Sequence, residues 1–242
     1  MAETLRVSET YLSVQGESTF AGLPCAFVRL TGCDLRCSYC DTAHAFRGGK
    51  QMTVVGVIEE LERLAQFSGC VGCKLPLVEI TGGEPLLQKG VHSLMSRLCD
   101  KGLTVLLETS GAHDLSTVDL RVRRIMDMKC PSSGEADLNL AANLAHLKAT
   151  DEVKFVIGTI EDYKWAKFQL AGHDLDRVCP VLFSWVAPLE PHQRDKSLKA
   201  IPVGQMPITR QELVERIICD KLPVRFQLQM HKFIWPPDEQ GV

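Results

Sequence analysis

The sequence predicts an α/β fold, a partial (open) TIM-like barrel of mainly parallel strands with fewer helices than strands. Three observations predict it. Short β-rich runs alternate with amphipathic helical segments, a pattern that requires parallel strands joined by crossover helices. Small or polar residues recur where the runs end, at Thr81, Gly83, Glu108, Ser110, Lys129, Ser132 and Ser184. In barrel-type proteins that end of the strands carries the active site. The runs begin near residues 26, 75, 104, 124, 152, 178 and 224, which falls short of an eightfold repeat. The 242 residues fit a single domain spanning residues 1–242, because α/β barrels commonly reach this length as one unit.

Taken in order, the chain first offers residues 8–20, where apolar residues stop at Val14 and Gln15-Gly16-Glu17 follows. That triplet reads either as a polar turn before a strand or as a loop whose backbone and amide grip a polar ligand. Residues 26–30 form a strand interrupted by Arg29, whose buried guanidinium requires a carboxylate from the protein or from a substrate. Residues 53–66 show a helical face of Val54, Val57, Ile58, Leu61 and Ala65, with Thr53 as N-cap. Residues 75–80 are a strand running into Thr81-Gly82-Gly83-Glu84-Pro85, where two glycines let the backbone approach a ligand. Residues 87–100 are helical on Val91, Leu94, Met95 and Leu98. Strands follow at 104–109, 124–128, 151–157 (Lys154 facing opposite to Val153 and Phe155), 178–184 and 224–228, with helices at 157–170 and 209–220. The crossovers after the fourth and sixth strands read as irregular.

A net charge of −3 with no basic stripe disfavours a polyanion, so no nucleic acid partner is expected. Ten cysteines could suggest a disulfide framework, but the start MAETLRVSET has no apolar signal-peptide core. No apolar run approaches membrane-spanning length, so no membrane is expected, and the free thiols fit a cytoplasmic protein.

Chemistry concentrates in Gly32-Cys33-Asp34-Leu35-Arg36-Cys37-Ser38-Tyr39-Cys40-Asp41-Thr42. Three cysteines at C-x3-C-x2-C can wrap three thiolates around one 4Fe-4S cluster, which normally takes four cysteine ligands. One iron is then left without a protein ligand, and an open metal position is where substrate chemistry occurs. A zinc site completed by His44 is the competing reading. Cys70 and Cys73 form a separate C-x2-C pair that reads as a loop feature.

The cysteine spacing resembles that of the radical S-adenosylmethionine enzymes. Within that superfamily the chain resembles the 7-carboxy-7-deazaguanine synthase family over nearly its whole length. The resemblance rests on residues 14–17, 27–30, 39–42, 81–85, 131–132 and the Gln229-Met230-His231-Lys232 motif. It implies a lyase of queuosine and 7-deazapurine biosynthesis acting on a small-molecule pterin, 6-carboxy-5,6,7,8-tetrahydropterin. A hydrogen is abstracted at C6, the ring contracts, ammonia is lost, and S-adenosylmethionine is regenerated. It further implies pterin contacts at Val14, Gln15, Gly16, Glu17, Arg29, Thr81 and Pro237, with Arg29 pairing the substrate carboxylate. S-adenosylmethionine is expected at Tyr39, Cys40, Asp41, Gly83, Glu84, Ser110, Cys130, Pro131, Ser132 and Ser184. Thr42 is expected to hold Mg2+, a hard cation that takes few protein ligands. An external electron donor of the flavodoxin or ferredoxin type and a homodimer are implied as well. The rival reading is a glycyl-radical-enzyme activase, which shares the cysteine motif but acts on a protein.

Overall fold

The structure, a computed structural model, describes residues 3–67, 77–236 and 239–241. Its strands are β1 (Thr4–Val14), β2 (Pro24–Leu30), β3 (Lys50–Thr53), β4 (Leu77–Gly82), β5 (Thr104–Thr109), β6 (Arg123–Asp127), β7 (Glu152–Ile157), β8 (Val181–Trp185) and β9 (Arg225–Gln227). Its α-helices are α1 (Val54–Phe67), α2 (Gly90–Asp100), α3 (Ile160–Gly172), α4 (Leu175–Val178), α5 (Arg210–Cys219) and α6 (His231–Ile234). The strands form one sheet in the order β3-β1-β2-β4-β5-β6-β7-β8-β9. Every pair from β2 to β9 is parallel, and β1 runs antiparallel to both β2 and β3. The sheet is open, since β3 and β9 remain at its edges, and helices are fewer than strands among the described residues.

The alternation of side chains along each strand places the site. One face of the sheet packs under the helices: Ala26, Val28 and Leu30 of β2, Val78 and Ile80 of β4, Val105 and Leu107 of β5, and Val153, Phe155 and Ile157 of β7. Helix α2 adds Val91, Leu94, Met95 and Leu98, each 0–1% exposed. Fully burying side chains of this size contributes roughly 1.5–3 kcal/mol apiece, enough to anchor the helix whatever its intrinsic propensity. The opposite parity starts with an apolar layer of Cys25, Leu77, Leu106 and Ile125, closed by Tyr11 and Phe27, whose rings stack 4.9 Å apart. Two residues further along the same strands, this face turns polar: Arg29, Glu79, Thr81, Glu108, Asp127 and Lys154.

Strands β1 and β3 were not expected. Leu5, Val7 and Tyr11 of β1 are buried in alternation, but Glu9 and a register shift between Val7 and Glu9 interrupt the pattern. Thr53 caps α1 as expected, its Oγ1 accepting from the Gly56 amide at 3.0 Å. Helix α2 begins three residues later than the periodicity suggests, because Pro85 first opens a short 3-10 turn over Pro85–Leu87. Helix α3 starts at Ile160 behind a capping box of Thr159 and Asp162, and α5 behind one of Thr209 and Glu212. The crossover between β6 and β7 is irregular as expected and holds only 3-10 turns; that between β5 and β6 also lacks a helix.

Candidate active site

One cavity of about 550 Å³ opens at the carboxyl ends of the strands. Cys33, Cys37 and Cys40 line it together with Tyr39, Asp41 and Thr42 of the same loop. Val14, Gln15, Gly16, Glu17, Arg29, Thr81, Gly83 and Ser110 line it too, so the structure brings most of the expected site residues into one space.

Close backbone packing holds the cysteine loop. Gly32 has φ +101°, open to glycine, and its amide donates to Ala45 O at 2.8 Å. The turn after β4 lies directly on it: Gly83 N donates to Leu30 O at 3.0 Å and Glu84 N to Gly32 O at 2.8 Å. A Cβ on Gly83 would stand 2.5 Å from the Gly32 carbonyl carbon and 2.9 Å from Cys33 Cβ, so only glycine fits this approach. From the other side, Ser38 N donates to Ser133 O at 3.0 Å and Ser38 Oγ to Ser132 O at 2.6 Å. Burial pushes the three thiols up, Cys33 to about 11 and Cys40 to about 12, while the Lys129 ammonium pulls each of them down. Thiolates therefore form here only with a cationic centre to hold them.

The donor set fits a cluster better than a single ion. Among the described residues no three His, Cys, Asp or Glu side chains converge as a compact metal shell. Cys33, Cys37 and Cys40 all line the cavity, where three thiolates from one loop can serve three irons of one cluster. Beside them the Tyr39 hydroxyl and Asp127 Oδ1 are buried with no hydrogen-bond partner, polar atoms on the cavity wall that a polar ligand would satisfy. His44 does not complete a zinc site: its Nε2 stands 3.6 Å from Glu9 Oε1.

Another part of the lining is a network of buried and half-buried polar side chains. Lys154, 3% exposed, donates to Glu17 Oε2 at 2.9 Å and to Glu108. Gln15 donates to Glu79, and Gln229 to Glu17 Oε1 at 3.0 Å. Burial works to raise the Glu17 carboxyl, but Lys154 and His231 outweigh it and bring the group down to about 2. Glu79 goes the other way: burial and the adjacent Glu108 hold its carboxyl well above the usual range. Arg29 already has a carboxylate from the protein. Its Nε donates to Glu9 Oε1 at 2.7 Å and a terminal nitrogen to the Tyr11 hydroxyl at 2.6 Å, so the guanidinium is braced on β1 at the cavity wall.

Several expected contacts lie off the wall. Glu84 is fully buried, and its carboxylate accepts from Leu86 N, Thr109 Oγ1, Ser110 N and Ser110 Oγ. It positions Ser110 rather than facing the cavity. Cys130, Pro131 and Ser132 pack beneath the cysteine loop, with Ser132 N donating to Asp162 Oδ1 at 2.8 Å. Ser184 is 1% exposed, and Val186 and Ala187 line the cavity in its stead. Pro237, Cys70 and Cys73 lie outside the described residues. The wall also includes Glu9, Tyr11, Phe27, Glu79, Asp127, Lys154, Pro236 and residues 239–241, which sequence reasoning did not assign to the site. Strand parity would have found Phe27 and Glu79, which lie two residues before Arg29 and Thr81 on their strands.

A sulfur-lined cavity at the ends of an open parallel sheet defines a radical S-adenosylmethionine protein, and the Radical SAM superfamily model matches residues 27–131. A 7-carboxy-7-deazaguanine synthase from Chlorobaculum tepidum is 43% identical over 98% of this chain and 97% of its own. Another from Koribacter versatilis is 40% identical over 98% of this chain and its whole length. The chain belongs to the 7-carboxy-7-deazaguanine synthase family. The crystal structure of QueE from Escherichia coli shares the fold, with a TM-score of 0.69 at 20% identity over 94% of this chain and 95% of that one.

Proposed function

We propose that this chain is a radical S-adenosylmethionine lyase that converts 6-carboxy-5,6,7,8-tetrahydropterin to 7-carboxy-7-deazaguanine, releasing one ammonia, in queuosine and 7-deazapurine biosynthesis. The observation that carries the reading is one cavity lined both by three thiols of a single loop and by a network of polar side chains around Lys154. Cys33, Cys37 and Cys40 would hold a 4Fe-4S cluster, which together with S-adenosylmethionine would supply the radical chemistry for hydrogen abstraction at C6. Gly83 lets the backbone come close to that nucleotide, Glu84 holds Ser110 toward it, and Tyr39, Asp41 and Asp127 offer it polar contacts. Residues 14–17 receive the pterin, with Glu79, Glu108 and Lys154 supplying acceptors and a cation for its ring edge. Arg29, braced by Glu9 and Tyr11, sets a fixed positive charge for the substrate carboxylate. Thr42 offers a hard oxygen for Mg2+, which neutralises that carboxylate further.

The concave, polar-lined cavity of about 550 Å³ suits a small molecule better than a protein partner. The proposal includes the whole chain acting as a single domain, as a homodimer in the cytoplasm, reduced by a flavodoxin- or ferredoxin-type donor. No helix of the described residues is long and apolar enough to cross a membrane. The test is anaerobic reconstitution with iron and sulfide, followed by turnover with the pterin, S-adenosylmethionine, reductant and Mg2+. Deazapurine absorbance with one ammonia per product supports the assignment. Cleavage of S-adenosylmethionine without deazapurine would overturn it.

A further inference from the structure

Two parts of the cavity wall, the cysteine loop and residues 229–236, lie almost two hundred positions apart in sequence, and one carboxylate joins them. Asp41 directly follows the third cysteine. Its Oδ1 accepts a hydrogen bond from Thr42 Oγ1 at 2.9 Å. Its Oδ2 accepts from Lys232 Nζ and from Gln229 Nε2, the latter at 3.3 Å. The same Gln229 amide donates to Glu17 Oε1 at 3.0 Å, and Met230 N donates to Gly16 O at 2.9 Å. The His231 ring lies so close to Gly16 that any Cβ there would collide with it. One short segment is thus tied both to the loop at residues 15–17 and to the cysteine loop. Beyond it, Pro236 and residues 239–241 continue the cavity wall.

The arrangement decides what Thr42 can offer. A threonine hydroxyl has one hydrogen and two lone pairs. With that hydrogen given to Asp41, the oxygen presents only lone pairs to a third group, which is what a hard cation accepts. Lys232 meanwhile neutralises Asp41 and fixes its plane, so the carboxylate orients Thr42 instead of swinging away. Outer groups that orient a metal ligand in this manner typically change metal affinity by roughly 10–100-fold when removed.

We propose that Lys232, assisted by Gln229, is a positioning residue that orients Asp41, sets the Thr42 oxygen for Mg2+, and ties residues 229–232 to the cysteine loop. The Mg2+ part rests on the reading under Proposed function; the tie to the cysteine loop rests on the contacts alone. The experiment therefore has two readouts on the reconstituted full-length protein and its Lys232→Met, Lys232→Arg and Gln229→Leu variants. Hydrogen exchange is followed over residues 38–46 and 229–236, and the Mg2+ concentration giving half-maximal turnover is measured beside it. Lys232→Met is expected to speed exchange in both segments together and to raise the Mg2+ requirement roughly tenfold at unchanged cluster iron. Lys232→Arg keeps a donor in place and should restore most of both, while Gln229→Leu should shift both in the same direction by less. A residue with a merely structural role would lower the unfolding temperature without moving the Mg2+ requirement. Wild-type exchange and wild-type Mg2+ requirement in both Lys232→Met and Gln229→Leu would overturn the proposal. Should wild type make no product, the functional reading fails, and the exchange data still decide for or against the tie.

Discussion

Gly83→Ala is the smallest change that sets two of the loops lining the cavity against each other. The backbone at Gly83 is in a region that any residue adopts, so the perturbation is purely steric. The added methyl would stand 2.5 Å from the Gly32 carbonyl carbon, whereas ordinary contact begins at 3.4 Å. One of the two loops must therefore retreat by at least about 0.9 Å, because the Gly32 carbonyl oxygen is nearer still. It cannot do so freely, because Glu84 N and Gly83 N are hydrogen-bonded to Gly32 O and Leu30 O, and Glu84 is locked to Ser110. Forcing a methyl into such packing costs about 1–3 kcal/mol of stability. A displacement near 1 Å at a reacting centre lowers turnover by roughly 100-fold. The assay pairs anaerobic urea denaturation with product formation, using Gly172→Ala as the control. Gly172 ends α3 with open space around it, so alanine there should be neutral or stabilise by up to about 1 kcal/mol. The reasoning is refuted if Gly83→Ala matches Gly172→Ala in turnover and cluster iron.

Burial and Glu108 raise the Glu79 carboxyl in the folded protein, so the folded chain holds this proton more tightly than the unfolded one and the contribution to stability falls as pH rises above about 4.5. Glu79→Gln should remove that slope, and a stability gap over wild type that fails to widen from pH 5 to pH 8 would contradict it. Arg124, 1% exposed, bonds Asp151 at 3.2 Å and the carbonyls of His146 and Val118. Arg124→Met should cost about 1.5–3 kcal/mol in urea denaturation, since it removes buried hydrogen bonds from a charged group while Lys148 stays on Asp151. Thr53→Ala should cost only about 1 kcal/mol through the lost cap of α1, with no change in turnover.

The long apolar elements were readable because their periodicity is unbroken. Val91, Leu94, Met95 and Leu98 of α2 and the runs at β4, β5 and β7 are cases where burial and sequence pattern coincide. Strand β1 was not readable, because it carries Glu9 inside its alternation and gains its partners only from β2 and β3. The cysteines and glycines were legible as chemistry, since few other roles need those residue types at that spacing. The polar part of the lining was harder. Glu79 and Lys154 look like misplaced charges until the sheet brings Glu17, Glu108 and Gln15 around them. Glu84 and Ser132 were assigned a ligand, yet they serve the loops that line the cavity, a distinction that depends on which way a side chain turns at a strand end.

The account depends on three sulfurs of one loop leaving an iron for S-adenosylmethionine. The most direct measurement is the electron paramagnetic resonance spectrum of the anaerobically reconstituted, reduced protein with and without S-adenosylmethionine, on wild type and Cys37→Ala. The account predicts a cubane signal that shifts when the nucleotide is added and is lost in the variant. A wild-type signal indifferent to S-adenosylmethionine, or zinc bound in place of iron and sulfide, contradicts it.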